Sequence, residues 1–297
     1  MKRIFLAFAI LLFVSCKVLH KNATDLNKIQ WIHGSNNCKQ NTDPPIQIVK
    51  YNSATWILRQ NKCVNYEAPF LFLFLGYKKA LLMDTGATEN ENQFPLYETI
   101  KKLINEWEKT LNTQMELIVA HTHNHSDHTA GDIQFKNKPN TTIVGPGVDD
   151  VKAYFKLDNW PLQNSKIDLG NRVIEIIPIP GHEEASIAVY DYETKILLPG
   201  DSFYPGRLYI KDWPSYKLSI QRLIDFTDGH KISYILGNHI EMTKNSGKDY
   251  PVGTTFQPEE QKLPLNIKDL QLLNKALKRL GDNPTKVIHD NFIIYPK

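Results

Sequence analysis

The sequence predicts a single α/β domain, on three observations. Short β-type runs come first and then alternate with amphipathic helical stretches. No repeat and no Pro/Gly-rich linker divides the body. The 297 residues, 41% hydrophobic and 23% charged, have the balance of an ordinary globular chain and are ample for one large core. That balance excludes disordered, collagen-like and multi-span membrane chains. The formal net charge of +3 falls to +1 when Lys2 and Arg3 are removed with the leader described next, so no basic field is left to attract nucleic acid.

Met1-Lys2-Arg3 is followed by an unbroken apolar run from Ile4 to Val14, then Ser15-Cys16-Lys17. The run is too short to span a bilayer stably and has the length of a secretory h-region. Phe13-Val14-Ser15-Cys16 resembles a bacterial lipoprotein box, with Phe13 where such boxes usually carry Leu. That resemblance implies a signal peptide over residues 1–15 and lipidation of Cys16, which would hold the mature chain on the periplasmic side of a membrane. A plain cleaved signal or an uncleaved anchor is the alternative, and each implies export. Cys38 and Cys63 then remain, either as a disulfide suited to an oxidising compartment or as two separate thiols. Residues 16–45 lack periodicity and read as a tether and lead-in; the domain proper is assigned to 46–297.

Within it, Ile46–Tyr51, Ala54–Arg59, Phe70–Leu75 and Ala80–Met83 are β-type runs separated by Asn, Pro and Gly turn signals. Phe94, Tyr97, Ile100, Ile104, Trp107 and Leu111 recur at three- and four-residue spacing and predict a helix over 94–111. Glu116–Ala120 is a short buried strand. Strands follow at Thr141–Val144, Lys166–Leu169, Arg172–Ile177, Ser186–Tyr190, Lys195–Leu198 and Ile232–Leu236, with Gly170-Asn171 as a hairpin turn. Helices are predicted at Pro214–Thr227 and at Ile267–Leu280, the latter stopped by Gly281. Residues 240–264, rich in Gly and Pro, form a long loop and a candidate wall or lid of a cleft.

The chemistry concentrates in His121-Thr122-His123-Asn124-His125-Ser126-Asp127-His128, directly after the strand 116–120. Alternation in an extended segment points His123 and His125 the same way, so both imidazoles can reach one metal. Asp127 and His128, after the chain turns, can face a second. Burying several imidazoles and a carboxylate with no cation would be expensive. His121 shares the face of His123 but sits one repeat too early, and reads as a residue that packs around the site.

A His-x-His-x-Asp-His run after a buried strand resembles the signature of the metallo-β-lactamase superfamily. Four further motifs fall in family order at strand ends: Met83-Asp84-Thr85-Gly86, Pro180-Gly181-His182, Gly200-Asp201 and Gly237-Asn238-His239. The resemblance runs from about Phe70 to His239. It implies a four-layer αββα sandwich in which His123, His125 and His182 hold one metal. Asp127, His128 and His239 hold a second, Asp201 bridges the two, and Asp84 supports the ligands from behind. Two Zn²⁺ ions are implied, although Fe or Mn suits the same nitrogen and oxygen donors. A hydroxide shared between the metals would be the nucleophile, because coordination lowers the pKa of water from about 16 to about 7. Asp127 would orient it or relay its proton.

A bridging Asp at 201 resembles the glyoxalase-II-like thioesterase and lactonase branches, since two-zinc β-lactamases commonly place Cys, or no bridging ligand, at that position. The expected function is therefore an exported hydrolase of a small ester, thioester, lactone or lactam-like substrate. A strict β-lactamase and a non-catalytic periplasmic metal-binding lipoprotein are the competing readings. Tyr204 stands where some lactonases carry a Tyr that donates to the substrate carbonyl; otherwise it is one more packing aromatic among Phe203, Tyr209, Trp213 and Tyr216. Arg207 and Lys211, in the same loop, are either solvated charges or partners for an anionic substrate group.

Overall fold

The computed structural model describes residues 23–297, so the leader and Cys16 lie outside the described residues. The first sheet is built from β1 (Ile46–Asn52), β2 (Thr55–Gln60), β3 (Phe70–Leu75), β4 (Lys79–Met83), β5 (Glu116–Ala120) and β6 (Thr141–Ile143), in that spatial order. Pairing is antiparallel from β1 to β4 and parallel from β4 to β6. The β4–β5 crossover is carried by α1 (Leu96–Leu111), and a single helical turn, α2 (Ser126–Thr129), follows β5. After α3 (Val148–Phe155) come β7 (Ser165–Asp168), β8 (Val173–Pro178), β9 (Ile187–Asp191) and β10 (Ile196–Leu198). The chain continues through β11 (Arg207–Ile210) and α4 (Trp213–Gly229) to β12 (Tyr234–Ile235). The second sheet has the order β12-β10-β9-β8-β7. Finally α5 (Ile267–Leu280), β13 (Val287–Ile288) and β14 (Ile293–Pro296) complete the chain, and β11-β14-β13 make a small third sheet.

The alternation of β3 shows how the layers form. Phe70, Phe72 and Phe74 point into the core between the two large sheets, against Ile174, Ile176, Ile187 and Val189 of the second sheet. Leu71, Leu73 and Leu75 point the other way, into a core completed by Leu96, Ile100, Leu103, Ile104 and Trp107 of α1. A strand apolar on both faces is buried on both faces. The second sheet repeats the logic. Ile177, Ala188, Tyr190 and Leu197 pack outward on Ile220 and Leu223 of α4 and on Leu270, Leu273 and Leu277 of α5. The result is helix, sheet, sheet, helix, the four-layer αββα sandwich that the family resemblance implies. Gly170 and Asn171 both take positive φ, 88° and 62°, giving the β7–β8 hairpin the twist its flanking strands need.

Two features differ from the sequence reading, and one alternative it left open is decided. The lead-in is not a free tether: Leu26 and Trp31 are buried in the core between the sheets, and Trp31 meets the Phe70 ring edge-on at 4.8 Å. Residues that dock one at a time leave no periodic signal. Cys38 and Cys63 form a disulfide, tying this segment to the β2–β3 loop. Helix α3 and strands β11, β13 and β14 also escape the sequence pattern, being short and, for β11 and β14, made by pairing residues distant in the chain.

Candidate metal centre

Strands β4, β5, β8, β10 and β12 end at one edge of the sandwich, and every candidate ligand lies just beyond one of those ends. The segment after β5 supplies His123 and His125, and α2 turns it so that Asp127 and His128 face the same space. His182 follows β8 through Gly181, whose φ is 141°; a β-carbon there would fall 2.4 Å from the Tyr216 backbone, so only glycine lets the loop approach α4 this closely. Asp201 lies on a 3₁₀ turn after β10, and His239 follows β12.

Two clusters result. In the first, His123 Nε2, His125 Nδ1 and His182 Nε2 lie 2.9, 3.1 and 3.3 Å from one another. In the second, Asp127 Oδ2, His128 Nε2, His239 Nε2 and Asp201 Oδ2 are separated by 3.3–3.6 Å along the measured edges. A tetrahedral cation with ligands at about 2.0–2.1 Å requires edges of about 3.3 Å, close to those of the second cluster and slightly wider than the 2.9–3.3 Å of the first. Asp201 Oδ2 also lies 4.0 Å from His182 Nε2, so its carboxylate stands between the two groups.

The tautomers suit metal binding. A carbonyl oxygen only accepts, so His182 Nδ1–H donates to Tyr209 O at 2.7 Å and His239 Nδ1–H to Glu67 O at 3.0 Å, leaving each Nε2 lone pair aimed into the site. Thr122 Oγ1 gives its proton to Asp84 and therefore accepts from His123 Nδ1–H at 3.1 Å. Electrostatics agree. Burial pushes the Asp127 and Asp201 carboxyls up, but the neighbouring histidines outweigh it and hold both well below the usual carboxylate range. Burial lowers His239, yet Asp201 and Asp127 raise it to about 9. His123 and His182 are pushed down, first by burial. The second cluster is a buried site that attracts positive charge, whereas in the first His123 and His182 are biased against protonation.

Asp84, fully buried with φ at 66°, is the hub behind the ligands. Its oxygens accept from Thr122 N at 2.8 Å and Asn238 Nδ2 at 2.6 Å, and Oδ2 lies 3.5 Å from His128 Nδ1. One carboxylate thus ties the loops that carry His123, His128 and His239. His121 falls in neither cluster; its Nε2 lies 3.1 Å from Asp132 Oδ2, which also accepts from Thr85 through Oδ1, so it braces the turn after α2. Tyr204 is buried beside His239, its ring 5.7 Å from the imidazole. Its hydroxyl is 2.6 Å from the Arg207 carbonyl and 3.1 Å from Glu241, so its one proton is already engaged within the protein. Arg207 is neither solvated nor free for substrate, being paired with Glu241 at 2.9 Å and Asp249 at 2.5 Å.

The clusters open into a cavity of about 360 Å³ whose walls add Tyr204, Tyr209, Lys211, Lys297, Glu67 and Glu241. Of the predicted 240–264 loop only Glu241 reaches it. Pro251 to Thr254 line a smaller neighbouring cavity instead. The sequence reading missed the Glu67 and Tyr209 carbonyls, Asn238 and Lys297. Asn238 adjoined a quoted ligand and could have been found, whereas a backbone carbonyl carries no residue-type signal.

The model of the metallo-β-lactamase superfamily matches residues 71–237, more than half of the chain. The chain belongs to the metallo-β-lactamase superfamily. Among curated proteins it is similar to an acyl-coenzyme A thioesterase, MBLAC2 of Gallus gallus, at 35% identity over 82 residues, 26% of this chain and 29% of that one. It is also similar to a hydroxyacylglutathione hydrolase of Rhizobium etli, at 27% over 126 residues, 39% of this chain and 48% of the relative. The matched stretches thus span from under a third to about half of these relatives' own lengths. Among solved structures, the DIM-1 metallo-β-lactamase matches with TM-score 0.51 and 17% identity over 81% of this chain and all of that one. TMB-1 matches with TM-score 0.52 and 14% identity over 80% of this chain and 99% of that one. At such identities these likenesses show the fold. Among the described residues, two groups of side chains, one of three histidines and one of two histidines and two aspartates, are able to hold metal.

Proposed function

We propose that this chain hydrolyses a small thioester, ester or lactone at a two-metal centre whose clusters share Asp201. The observation that carries this reading is Asp201 Oδ2 itself, 3.4 Å from His239 Nε2 and 4.0 Å from His182 Nε2, at the floor of the cavity. Two divalent cations, Zn²⁺ by donor type, would supply Lewis-acid polarisation and acidified water there. The chain's own residues do the rest. Asp127 lines the cavity with its side chain one-fifth exposed, placed to orient the attacking water and to hold its proton for the leaving group. Lys211 and Lys297 stand at the wall as the cations available to an anionic part of the substrate. The thioesterases among the relatives support a thioester over a β-lactam.

The test is a panel of acyl-coenzyme A, acylglutathione, homoserine lactone and β-lactam compounds with metal-loaded protein, using Asp201→Ala as blank. Thioester or lactone turnover that disappears in the variant is expected. Turnover of β-lactams alone would overturn the reading in favour of a strict β-lactamase. We also read the chain as an exported lipoprotein anchored through Cys16, a reading supported by the leader pattern and by the Cys38–Cys63 disulfide. Labelling with a lipid analogue that Cys16→Ser abolishes is the expected result; equal labelling would contradict it.

A further inference from the structure

The loop between β2 and β3 reaches the metal centre without contributing a side-chain ligand. Its Glu67 carbonyl takes the Nδ1 proton of His239 at 3.0 Å and so fixes which nitrogen that imidazole presents. The next residue, Ala68, has φ at 44°, a left-handed backbone that a side chain makes costly. Such a conformation persists only where its surroundings enforce it. They do so here. Ala68 N donates to Asn65 O at 3.1 Å, Asn65 Nδ2 to Ala87 O at 2.9 Å, and buried Lys62 Nζ to Tyr66 O at 2.9 Å. The near end of the loop is fastened to the N-terminal segment, by Asn61 Nδ2 to Pro44 O at 3.0 Å and by the Cys63–Cys38 disulfide.

Among the described residues, no hydrogen bond runs directly from loop 61–68 to His123, His125 or His182. His182 is held by Tyr209 O of β11, and His123 by Thr122. We propose that the disulfide-fastened loop 61–68 is a positioning device for His239, so that the Cys38–Cys63 bond sets metal affinity at the Asp127–His128–Asp201–His239 cluster and leaves the His123–His125–His182 cluster unaffected. Lys62 and Asn61 are positioning residues in the same device. The inference rests on the two-metal reading above.

The experiment titrates metal-free full-length protein with Co²⁺ against a chelator, following ligand-field absorption, before and after reduction with a phosphine, which avoids the competition of thiols for metal. Two binding steps are expected in the oxidised protein. Reduction should weaken one of them about 10- to 100-fold and remove the absorption of that site, with the other step unchanged. A single step in the oxidised protein would refute the two-metal reading itself. Two steps that reduction weakens equally, or not at all, would overturn the positioning role while leaving that reading intact. If reduction unfolds the chain, Lys62→Met and Asn61→Ala, with the disulfide intact, are judged by the same selective loss.

Discussion

Asp84 is no metal ligand, yet its one carboxylate joins the segments that carry His123, His128 and His239. Its carboxylate takes hydrogen bonds from Thr122 N and Asn238 Nδ2 and faces His128 Nδ1. Asp84→Asn would set an amide N–H against one of those donors and is expected to weaken metal binding about 10- to 100-fold with the fold retained, as read by chelator competition. Unchanged affinity would remove Asp84 from the account. Tyr204 separates two roles cleanly. A phenol that donated to a developing oxyanion would cost about 10²–10³ in kcat on removal. A phenol engaged by Arg207 O, as here, leaves that carbonyl unpartnered and costs about 1–3 kcal/mol of stability instead. Tyr204→Phe should therefore lower the unfolding midpoint while kcat falls less than about tenfold, measured by denaturant titration and steady-state kinetics.

At the scale of the elements, one side chain joins the two large sheets. Arg172, just before β8, donates to both Asp191 oxygens, at 3.1 and 2.6 Å, and also to Ala54 O, Leu75 O and Thr55 Oγ1 around β2 and β3. Both partners of the ion pair are buried, so removing one leaves an uncompensated charge. Arg172→Met is expected to cost about 3–5 kcal/mol in denaturant unfolding; a loss under about 1 kcal/mol would contradict the role. Burial pushes the Asp191 carboxyl up, but Arg172 outweighs it and holds it below its ordinary value of 3.8. A carboxylate depressed in the folded state binds fewer protons there than when unfolded. Its contribution is complete above that ordinary value and is lost as pH falls through the depressed one. The wild type should lose stability below about pH 4 from this source, and Arg172→Met should show a shallower slope there.

For the molecule as a whole, the legible parts are those in which side-chain type alone carries the physics. Phe-Leu-Phe-Leu-Phe-Leu in β3, short and bounded by turn signals, reads as a buried strand, and clustered histidines and carboxylates at strand ends have few uses besides a cation. What stayed hidden depends on partners distant in the chain. The Glu67 carbonyl beside His239 spans 172 positions, Arg172 reaches residues over a hundred positions away, and β11 pairs with β14 only after two helices intervene. Leu26 and Trp31 dock singly, without a period to announce them. Lys297 enters the cavity wall because β14 lies beside β11, a placement no local pattern encodes. Together with Lys211 it leads to a whole-cavity prediction. Lys211→Ala should raise KM about tenfold for an anionic thioester and leave a neutral ester unchanged, a split that steady-state kinetics on the two substrates would show.

The proposed two-metal centre depends on Asp201 serving two adjacent clusters. Metal content after exhaustive dialysis, measured on wild type, His182→Ala and Asp201→Ala, tests it most directly. Two equivalents are expected in the wild type and one in His182→Ala. Asp201→Ala should retain no more than one, with hydrolysis reduced at least about 10²-fold. A wild type that holds one equivalent, or an Asp201→Ala protein that keeps both metals and its activity, would contradict it.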